Sequence, residues 1–489
     1  MQNKNATAEE ILIIGAGPAG LAAAIELANH GKDFTLIEKQ SRVGGLAKTY
    51  EFKEGDLVFR TDNGPHRFFS KNQKLYDFLE GLLKEHWIPV NRQTRQFIDG
   101  KFYDYPINAS QALKNIGVWK ATGMLAGYGW AKIKYGLFRA PIRNFADYVY
   151  ANFGKPLGEF NMINYTEKIW GIPAREIHVD WAVQRIKGLN IFALVKNSLS
   201  SMFGMKTAKP KSLVDVFYYP DNGTGEIYET ILSKLRSQDK KIFLDTKPVK
   251  IFHKDKKITR VEYISPSGKM DMDVDILIES IPLKAFLSLL DPAPPAEILA
   301  AQKKLRYRQQ VYLFITLDKD TVTPDQWIYF PEKDVPIGRM SEMKNFSARM
   351  SPVGKTSLFL EFFCFDTDPV YSMSEKELFE YALPYLEKMG FATRKEVRKY
   401  YRLFETDVYP IYDIAYKEYL SVIKGYLDQF ENLYYIGRPG RFRYNNQDHS
   451  LEMGFLAAQS VIDGVRYDLE KVGDEQEYFE KGTVPPKNT

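Results

Sequence analysis

Residues 11–45 constrain the fold more than any other part of the chain. Residues 11–14 form an apolar run, which is typical of a buried parallel strand. Gly15-Ala16-Gly17-Pro18-Ala19-Gly20 follows with the G-x-G-x-x-G spacing, and residues 21–29 have helical periodicity. Gly15 permits a tight turn, Gly17 allows a pyrophosphate to approach the backbone, and Gly20 allows close helix–strand packing. The amides at the helix start, including that of Ala19, would then face phosphate.

A second strand is predicted at residues 34–37, and it ends at Glu38, followed by Lys39. The acid stands where a ribose hydroxyl would need an acceptor. A glycine-rich turn in an ordinary α/β core is the alternative. The order of strand, glycines, helix, strand and acid favours a dinucleotide site, and we expect Lys39 to lie beside it.

The residues after Glu38 favour FAD over NAD. Arg42 supplies a charged donor for phosphate, and Gly44 and Gly45 allow another close backbone approach before Leu46. This R-x-G-G sequence is similar to the extension of the motif in flavoproteins. We also expect Val249, in the strand-like run 247–252, to line the cofactor site.

Composition limits the remaining function classes. The 67 basic and 62 acidic residues leave a net charge of +5, which is too mild to indicate nucleic-acid binding. The single cysteine, Cys364, excludes internal disulfides, and its strand-like surroundings predict a buried, inert thiol. The six histidines lack zinc-ligand spacing, so no metal site is expected. The oligomeric state stays open.

The chain lacks an apolar signal core near residue 1 and any run of eighteen uncharged apolar residues. We therefore expect a cytoplasmic enzyme without an integral membrane segment. Residues 117–138 come nearest to an apolar run, but Lys120, Lys132 and Lys134 interrupt it. This region is interpreted either as a helix of a substrate domain or as a site of peripheral membrane contact.

The order of predicted elements indicates an α/β protein with a split Rossmann-like FAD-binding domain, an inserted helical domain and a mixed or antiparallel β-sheet substrate domain. The predicted boundaries are 8–70, 223–285 and 425–470 for the FAD-binding domain, 71–164 for the mainly helical insertion, and 165–222 with 286–424 for the sheet domain. The tail 473–489, rich in Glu, Lys and Pro, is expected to be disordered.

Four further motifs carry candidate site residues. Asn164 to Gly171 combines a hydroxyl, a carboxylate, an ammonium and an indole, which suits a sugar or a nucleotide. Gly338 to Phe346 alternates so that Arg339 points into a pocket while Glu342 and Lys344 lie on an opposite, solvated face. Gly437 to His449 carries Arg438, Arg441 and Arg443, and guanidinium groups bind diphosphate well. Gly64-Pro65-His66 would lie against an isoalloxazine ring.

Together these motifs resemble those of the UDP-galactopyranose mutases, within the superfamily that also contains the protoporphyrinogen and amine oxidases. Tyr165-Thr166-Glu167-Lys168-x-Trp170-Gly171 is similar to the Y-T-E-K-x-W-G motif of the mutases. Arg339-x-x-Glu342-x-Lys344-x-Phe346 resembles their R-x-x-E-x-K-x-F strand. Arg443-Tyr444 and Asp448 match a Y-R-Y-x-x-x-D motif in which Phe442 replaces the first tyrosine. Gly64-x-His66 resembles a segment beside the flavin.

The resemblance implies an enzyme that interconverts the pyranose and furanose forms of a nucleotide sugar through an adduct of the sugar with N5 of reduced flavin. NAD(P)H is a candidate reductant. The implied catalytic residues are Arg339, His66 and Arg185. The implied substrate ligands are Tyr165, Trp170, Tyr412, Arg443 and Tyr444. The cofactor residues predicted from the motifs above are completed by Gly437, Arg438 and Asp448.

Two other hypotheses stay open at the level of the sequence. An FAD-dependent oxidase or desaturase would accept hydride from an amine, a porphyrinogen or a polyene. A non-catalytic flavin-binding protein would keep the cofactor motifs alone, and the retained candidate substrate groups argue against it.

Overall fold

A five-stranded parallel sheet forms the first layer of the protein. The computed structural model describes residues 9–105, 109–186 and 216–473. Every pairing in this sheet is parallel. Its strands, in spatial order, are Leu433–Tyr435, Ile276–Glu279, Ile11–Ile14, Thr35–Ile37 and Lys241–Phe243.

The central strand Ile11–Ile14 is buried on both faces, as a doubly covered parallel strand requires. Ile11 and Ile13 face one apolar core with helix Pro18–Asn29, while Leu12 and Ile14 face another. The predicted strand is therefore confirmed. The first helix begins at Pro18, three residues before the predicted start, because proline suits the first helical position.

The Rossmann-like sheet is assembled from distant parts of the chain. Ile276–Glu279 pairs with the first strand, and Leu433–Tyr435 pairs with Ile276–Glu279 in turn. Helix Gln447–Asp463 then packs against Pro18–Asn29, where a Cβ on Gly454 would lie 2.2 Å from the Ala19 carbonyl oxygen. The predicted α/β class with a split Rossmann-like domain is confirmed.

A seven-stranded mixed sheet forms the second large layer. Its pairings are antiparallel except the one between Trp327–Tyr329 and Thr94–Ile98. Helix Glu375–Lys388 covers one face. The strands, in spatial order, are Val397–Pro410, Tyr307–Leu317, Thr356–Cys364, Arg339–Glu342, Trp327–Tyr329, Thr94–Ile98 and Lys101–Asp104.

Smaller sheets complete the β structure. A four-stranded sheet contains Gly268–Asp273, Lys257–Ser265, Lys247–Lys254 and Leu290–Asp291. Two two-stranded antiparallel sheets are also present: a hairpin of Thr49–Glu54 with Leu57–Asp62, and a pairing of Trp87–Asn91 with the distant strand Val216–Pro220.

The segment 71–164, expected to be mainly helical, also carries three strands between residues 87 and 104. Two of them join the seven-stranded sheet through pairing with Trp327–Tyr329, more than 200 residues away, and local periodicity does not register such pairing. The domain boundaries themselves stay predictions, and residues 474–489 of the expected disordered tail lie outside the described residues.

The remaining helices surround these sheets. In the part of the chain that the structure describes, no helix is long and apolar enough to cross a bilayer. The other α-helices are Gln73–Leu83, Ala109–Ile116, Val118–Ala131, Phe145–Phe153, Lys155–Gly158, Asn164–Trp170, Val179–Ile186, Gly225–Ser237, Leu283–Leu289, Ala296–Lys304, Pro369–Ser372, Tyr416–Leu427 and Gly437–Gly440.

Candidate functional site

The three glycines of the first motif have different structural roles. Gly15 has a φ of +98°, in the left-handed region that favours glycine. A Cβ on Gly20 would lie 1.9 Å from the Gly15 carbonyl oxygen, so the strand and the helix touch there. A Cβ on Gly17 would meet nothing nearer than the Gly45 Cα at 3.8 Å. The space beside Gly17 is therefore open, as a pyrophosphate cradle requires.

The amides at the start of the first helix border this space. The first hydrogen bond of the helix runs from the Leu21 N–H to the Gly17 carbonyl at 3.0 Å, so the N–H groups of Ala19 and Gly20 precede it. The Gly44 N–H donates to the Ala16 carbonyl at 2.8 Å and joins the second glycine pair to the first. The donors suit an anionic diphosphate.

Glu38 is buried at the end of the second strand, where its carboxylate accepts the N–H groups of Ala16 at 2.8 Å and Gln40 at 2.9 Å. Its backbone carbonyl accepts the Thr246 N–H at 2.8 Å, which brings the next strand alongside. Val249 in that strand is half-buried and lies where the strand register skips between Pro248 and Lys250. Its peptide groups are thereby offset from the regular ladder.

The charged neighbours of Glu38 are more exposed. Lys39 points to solvent. Arg42 is also exposed, and its guanidinium donates to the Thr49 carbonyl at 3.3 Å.

Gly64 brings the backbone next to the Arg339 side chain. Its φ of +122° requires glycine, and a Cβ there would lie 3.4 Å from Arg339 Nη2 and 3.6 Å from Glu361 Oε1. Pro65 follows in a tight turn closed by a 2.9 Å hydrogen bond from the His66 N–H to the Gly64 carbonyl. The motif at 64–66 and the strand motif at 339 therefore meet.

A buried ion pair fixes Arg339. Glu361 is 0% exposed and stands directly opposite Arg339 in the neighbouring strand. The Arg339 guanidinium donates from Nε and Nη2 to the two Glu361 oxygens at 2.5 and 2.7 Å. This fork leaves Nη1 outside the pair. Gln310 donates to Glu361 at 3.0 Å and accepts the Tyr312 hydroxyl at 2.7 Å, so the carboxylate is held from both sides.

His66 lies between two arginines. Burial, together with the nearby positive charges of Arg339 and Arg438, lowers the pKa of His66 to about 3. The imidazole is therefore neutral at neutral pH. Its Nδ1 and the Nε and Nη2 atoms of Arg438 are buried without a hydrogen-bond partner. Buried unpaired donors of a charged group indicate a missing acceptor.

Aromatic rings enclose Arg438. Its guanidinium carbon lies 4.6 Å from the Tyr409 ring centre and 4.3 Å from the Tyr444 ring centre, and these two rings are stacked. Trp170 is fully buried beside them, with its ring stacked on Tyr412 at 6.1 Å. The Tyr412 hydroxyl accepts the Tyr444 N–H at 2.6 Å.

Leu46 of the glycine-rich motif packs on the cluster around Trp170, so the two predicted sites adjoin. Tyr165 stands edge-on to Tyr329 at 5.2 Å, and the charge on Arg339 acts against the burial that raises the pKa of Tyr165. Arg185 lies in helix Val179–Ile186, and its side chain is outside the described part of the structure.

Two arginines of the late motif have another partner. Arg441 pairs with Glu470, and Arg443 lies 3.7 Å from the same carboxylate and donates to the Glu470 carbonyl at 2.9 Å. Lys424 contacts Glu470 at 2.5 Å. Burial raises the pKa of Glu470, but Arg441 and Lys424 outweigh it and lower that pKa to about 2. The predicted substrate ligand Arg443 is therefore already paired, and Arg438 alone of the three is placed beside His66.

Two residues of the 164–171 motif, Lys168 and Glu167, form hydrogen bonds with the backbone of other segments. Lys168 donates to the carbonyls of Phe330, Val335 and Ile337. Glu167 accepts the Ala174 N–H at 2.9 Å.

The expectation that Glu342 lies on a solvated face is wrong. Glu342 is 1% exposed because its carboxylate accepts the Thr356 hydroxyl and the N–H groups of Val322 and Thr323. The predicted burial of Cys364 is confirmed, and burial raises the pKa of its thiol to about 11.

Residues 437–448 contact the first helix and the His66 turn. Gly437 has a φ of +76°, and a Cβ there would lie 3.0 Å from the Ala19 Cβ, so Arg438 starts beside the first helix. Asp448 is buried in the first turn of Gln447–Asp463. Gln447 donates to the His66 carbonyl at 3.3 Å and accepts the Tyr228 hydroxyl at 2.8 Å. It positions the His66 turn.

Sequence reasoning missed Glu361, Tyr409 and Gln447. Glu361 had one signal, since it is the only charged residue in the apolar strand Thr356–Cys364. A charge in such a strand requires a partner. Tyr409 and Gln447 had no local signal, because their roles depend on distant contacts.

One further cluster unites a histidine and two acids. Ligand atoms of His86, Asp221 and Glu226 lie within 4.8 Å of one another, although no metal site was predicted. Arg349 lies 3.2 Å from Asp221 and already balances part of this negative charge.

Comparisons with known proteins agree with this fold. Residues 13–82 match the family model described as an NAD(P)-binding Rossmann-like domain. A crystal structure of reduced UDP-galactopyranose mutase has a TM-score of 0.81 to this protein, covers 96% of this chain and 97% of the other, and is 23% identical.

Curated relatives include oxidases and mutases. An L-amino-acid oxidase of Bothrops jararacussu is 24% identical over 68% of this chain and 67% of the oxidase. A UDP-galactopyranose mutase of Mycoplasma pneumoniae is 27% identical over 34% of this chain and 42% of the mutase. The chain therefore has a mutase-like fold with a dinucleotide-binding Rossmann domain, and the resemblance predicted from the motifs is confirmed for the fold.

Substitutions at Gly17 and Gly20 test cofactor binding and folding separately. Gly17 has a φ of −76°, which valine can adopt, and its side has room. We expect Gly17→Val to fold but to lose bound flavin, measured as absorbance near the flavin maximum per chain. Gly20→Ala should instead lower the melting temperature, because its Cβ would clash with a backbone carbonyl. A Gly17→Val protein with full flavin content would contradict the assignment of the cradle.

The Glu470 cluster predicts a pH-dependent contribution to stability. Because the folded-state pKa is about 2, below the ordinary 4.5, the stabilisation is complete above pH 4.5 and is lost as the pH falls toward 2. Glu470→Gln should lower the melting temperature at pH 7, and the difference from the parent should shrink across that window. Glu380→Gln, at an exposed pair with Arg394, is the control with the smaller effect. Equal effects of the two variants would contradict this account.

Proposed function

We propose that the protein is an FAD-dependent enzyme that isomerises the sugar of a nucleoside diphosphate sugar between its pyranose and furanose forms. The observation that carries this proposal is the convergence of Arg339 and Arg438 on the neutral His66, with buried guanidinium donors on Arg438 unpaired. A guanidinium with unpaired buried donors in an aromatic enclosure favours an anionic ligand, and Nη1 of Arg339 is available beside it because the fork to Glu361 uses only Nε and Nη2.

The residues present fit FAD. The open space at Gly17, the amides of Ala19 and Gly20, and the buried acid Glu38 would hold the dinucleotide half. Gly64 and His66 would border the flavin ring, and Arg438 would supply hydrogen-bond donors beside them. Reduced flavin, when bound, supplies an electron-rich nitrogen as the nucleophile.

The side chains of the pocket then have distinct tasks. Arg339, locked by Glu361, binds the diphosphate and stabilises the negative charge that develops when it leaves the sugar. Tyr165 and Tyr409 limit water access beside it, while Trp170 and Tyr412 support the wall. His66 stays neutral and shapes the flavin surroundings without transferring a proton, since the pKa of its imidazole is about 3.

An FAD-dependent oxidase is the second candidate, and one observation favours it. The oxidase relative aligns over 68% of this chain, twice the span of the mutase relative. An amino-acid carboxylate is also an anion that Arg339 could bind. The two candidates differ in the redox state that turns over.

We expect the dithionite-reduced protein to isomerise UDP-galactopyranose or a related nucleotide sugar without consuming reductant stoichiometrically. Anaerobic incubation followed by chromatographic separation of the two sugar forms measures this activity. The oxidised protein is the control and should be inactive, because the oxidised ring is electron-poor. Peroxide release from amines or amino acids by the oxidised protein, with no isomerisation after reduction, would establish the oxidase instead.

Arg339→Lys tests the diphosphate contact and still provides a cation for the buried Glu361. Lysine keeps the charge but loses the planar fork, so we expect UDP affinity to fall roughly tenfold or more by calorimetry. Arg394→Lys is the matched control, because Arg394 forms a similar fork with Glu380 on the surface. Unchanged UDP affinity in Arg339→Lys would remove this residue from the substrate site.

A further inference from the structure

We propose that helix Val118–Ala131 and the turn after it dock the protein on an anionic membrane surface. We name this surface the apolar ridge, and it consists of Trp119, Leu125, Trp130, Ile133, Leu137 and Phe138. Their side chains are 43–90% exposed. Among the described residues, no other segment of comparable length exposes as many large apolar side chains.

The helix has one packed side and one open side. Ala121 and Ala131 are buried, and a Cβ on Gly127 would lie 2.5 Å from Pro156 Cδ. This side of the helix therefore packs closely on helix Lys155–Gly158. Trp119 and Trp130 are eleven residues apart, about three helical turns, and therefore share the opposite side. They are 90% and 62% exposed. The fold thus keeps the apolar ridge outward.

The positive charge around the apolar ridge favours an anionic partner. Residues 105–146 contain six Lys and Arg and no Asp or Glu, so this short segment carries more positive charge than the net +5 of the whole chain. Lys134, Arg139 and Arg143 are exposed next to the ridge. Asp99 pairs with Lys120 at 3.2 Å, whereas Asp147 accepts the backbone N–H of Arg143 at 3.1 Å and forms no ion pair through that contact. Acids from neighbouring elements therefore compensate only part of this charge.

An anionic bilayer suits both properties at once. Tryptophan prefers the interface between headgroups and acyl chains, and lysine and arginine bind anionic headgroups around it. A second copy of the chain fits less well, because two such ridges would place like charges together. The ridge would leave the protein on the surface of the bilayer, which agrees with the absence of a spanning helix among the described residues.

The experiment uses the full-length, flavin-loaded protein and sedimentation with vesicles. Vesicles of phosphatidylcholine alone are compared with vesicles that also contain phosphatidylglycerol, at low and high salt. We expect binding to the anionic vesicles only, weakened by salt, with a blue shift of tryptophan fluorescence. Trp119→Ser with Trp130→Ser should weaken binding about tenfold or more, since both side chains lose their apolar burial in the interface.

Further variants test the contribution of the basic residues and the specificity for the apolar ridge. Lys134→Gln and Arg139→Gln should each weaken binding roughly fivefold, the equivalent of about 1 kcal/mol per basic residue near an anionic surface. Val353→Ser, at a 99% exposed apolar residue elsewhere, and Lys53→Gln should leave vesicle binding unchanged. Melting temperatures of all variants verify folding.

Two results would overturn the proposal. One is that the parent protein does not sediment with anionic vesicles at low salt, or does so equally after the double tryptophan replacement. The other is that the replacement converts a dimer to a monomer in analytical ultracentrifugation while vesicle binding is absent, which would make the ridge a protein interface. Neither result bears on the isomerase test, because the ridge variants leave the residues of the pocket intact.

Discussion

The buried ion pair between Arg339 and Glu361 is the constraint on which the site depends. A carboxylate with no solvent exposure needs a cation, and the neighbouring strand provides one directly opposite. The bidentate fork fixes the guanidinium plane, while Gln310 holds the carboxylate from behind. Since both charges are in the sheet and not on loops, Arg339 is presented to the pocket in one orientation. Gly64 then allows the backbone that follows strand Leu57–Asp62 to approach it.

The second cation reaches the pocket by a different route. Arg438 follows a strand of the Rossmann-like sheet, and the φ of Gly437 turns the chain there. Tyr409, at the end of a strand of the seven-stranded sheet, and Tyr444 enclose its guanidinium. The pocket is therefore built where the two large sheets meet. Burial, together with the positive charges of Arg339 and Arg438, lowers the pKa of His66 and keeps it neutral, so we expect the histidine to act as a polar surface and not as a proton carrier.

Sequence alone predicted the parts of this arrangement that depend on local chemistry. The strand, glycines and acid of residues 11–38 were predictable because each has a local conformational or charge requirement. Arg339 and His66 were found through motif resemblance. The sequence could not show which arginine of residues 437–449 lies beside His66, since Arg441 and Arg443 pair with Glu470, nearly thirty residues onward. Likewise, nothing local in residues 94–104 indicates their pairing with a strand more than 200 residues away.

A crystal structure of the reduced protein with FAD and UDP would test the central claim most directly. The account predicts that the flavin ring lies against Gly64 and His66, with Arg438 within hydrogen-bond distance of the cofactor. It also predicts that the diphosphate contacts Arg339 while the Glu361 fork stays intact. A flavin ring placed away from Gly64, or a diphosphate bound without contact to Arg339, would contradict it.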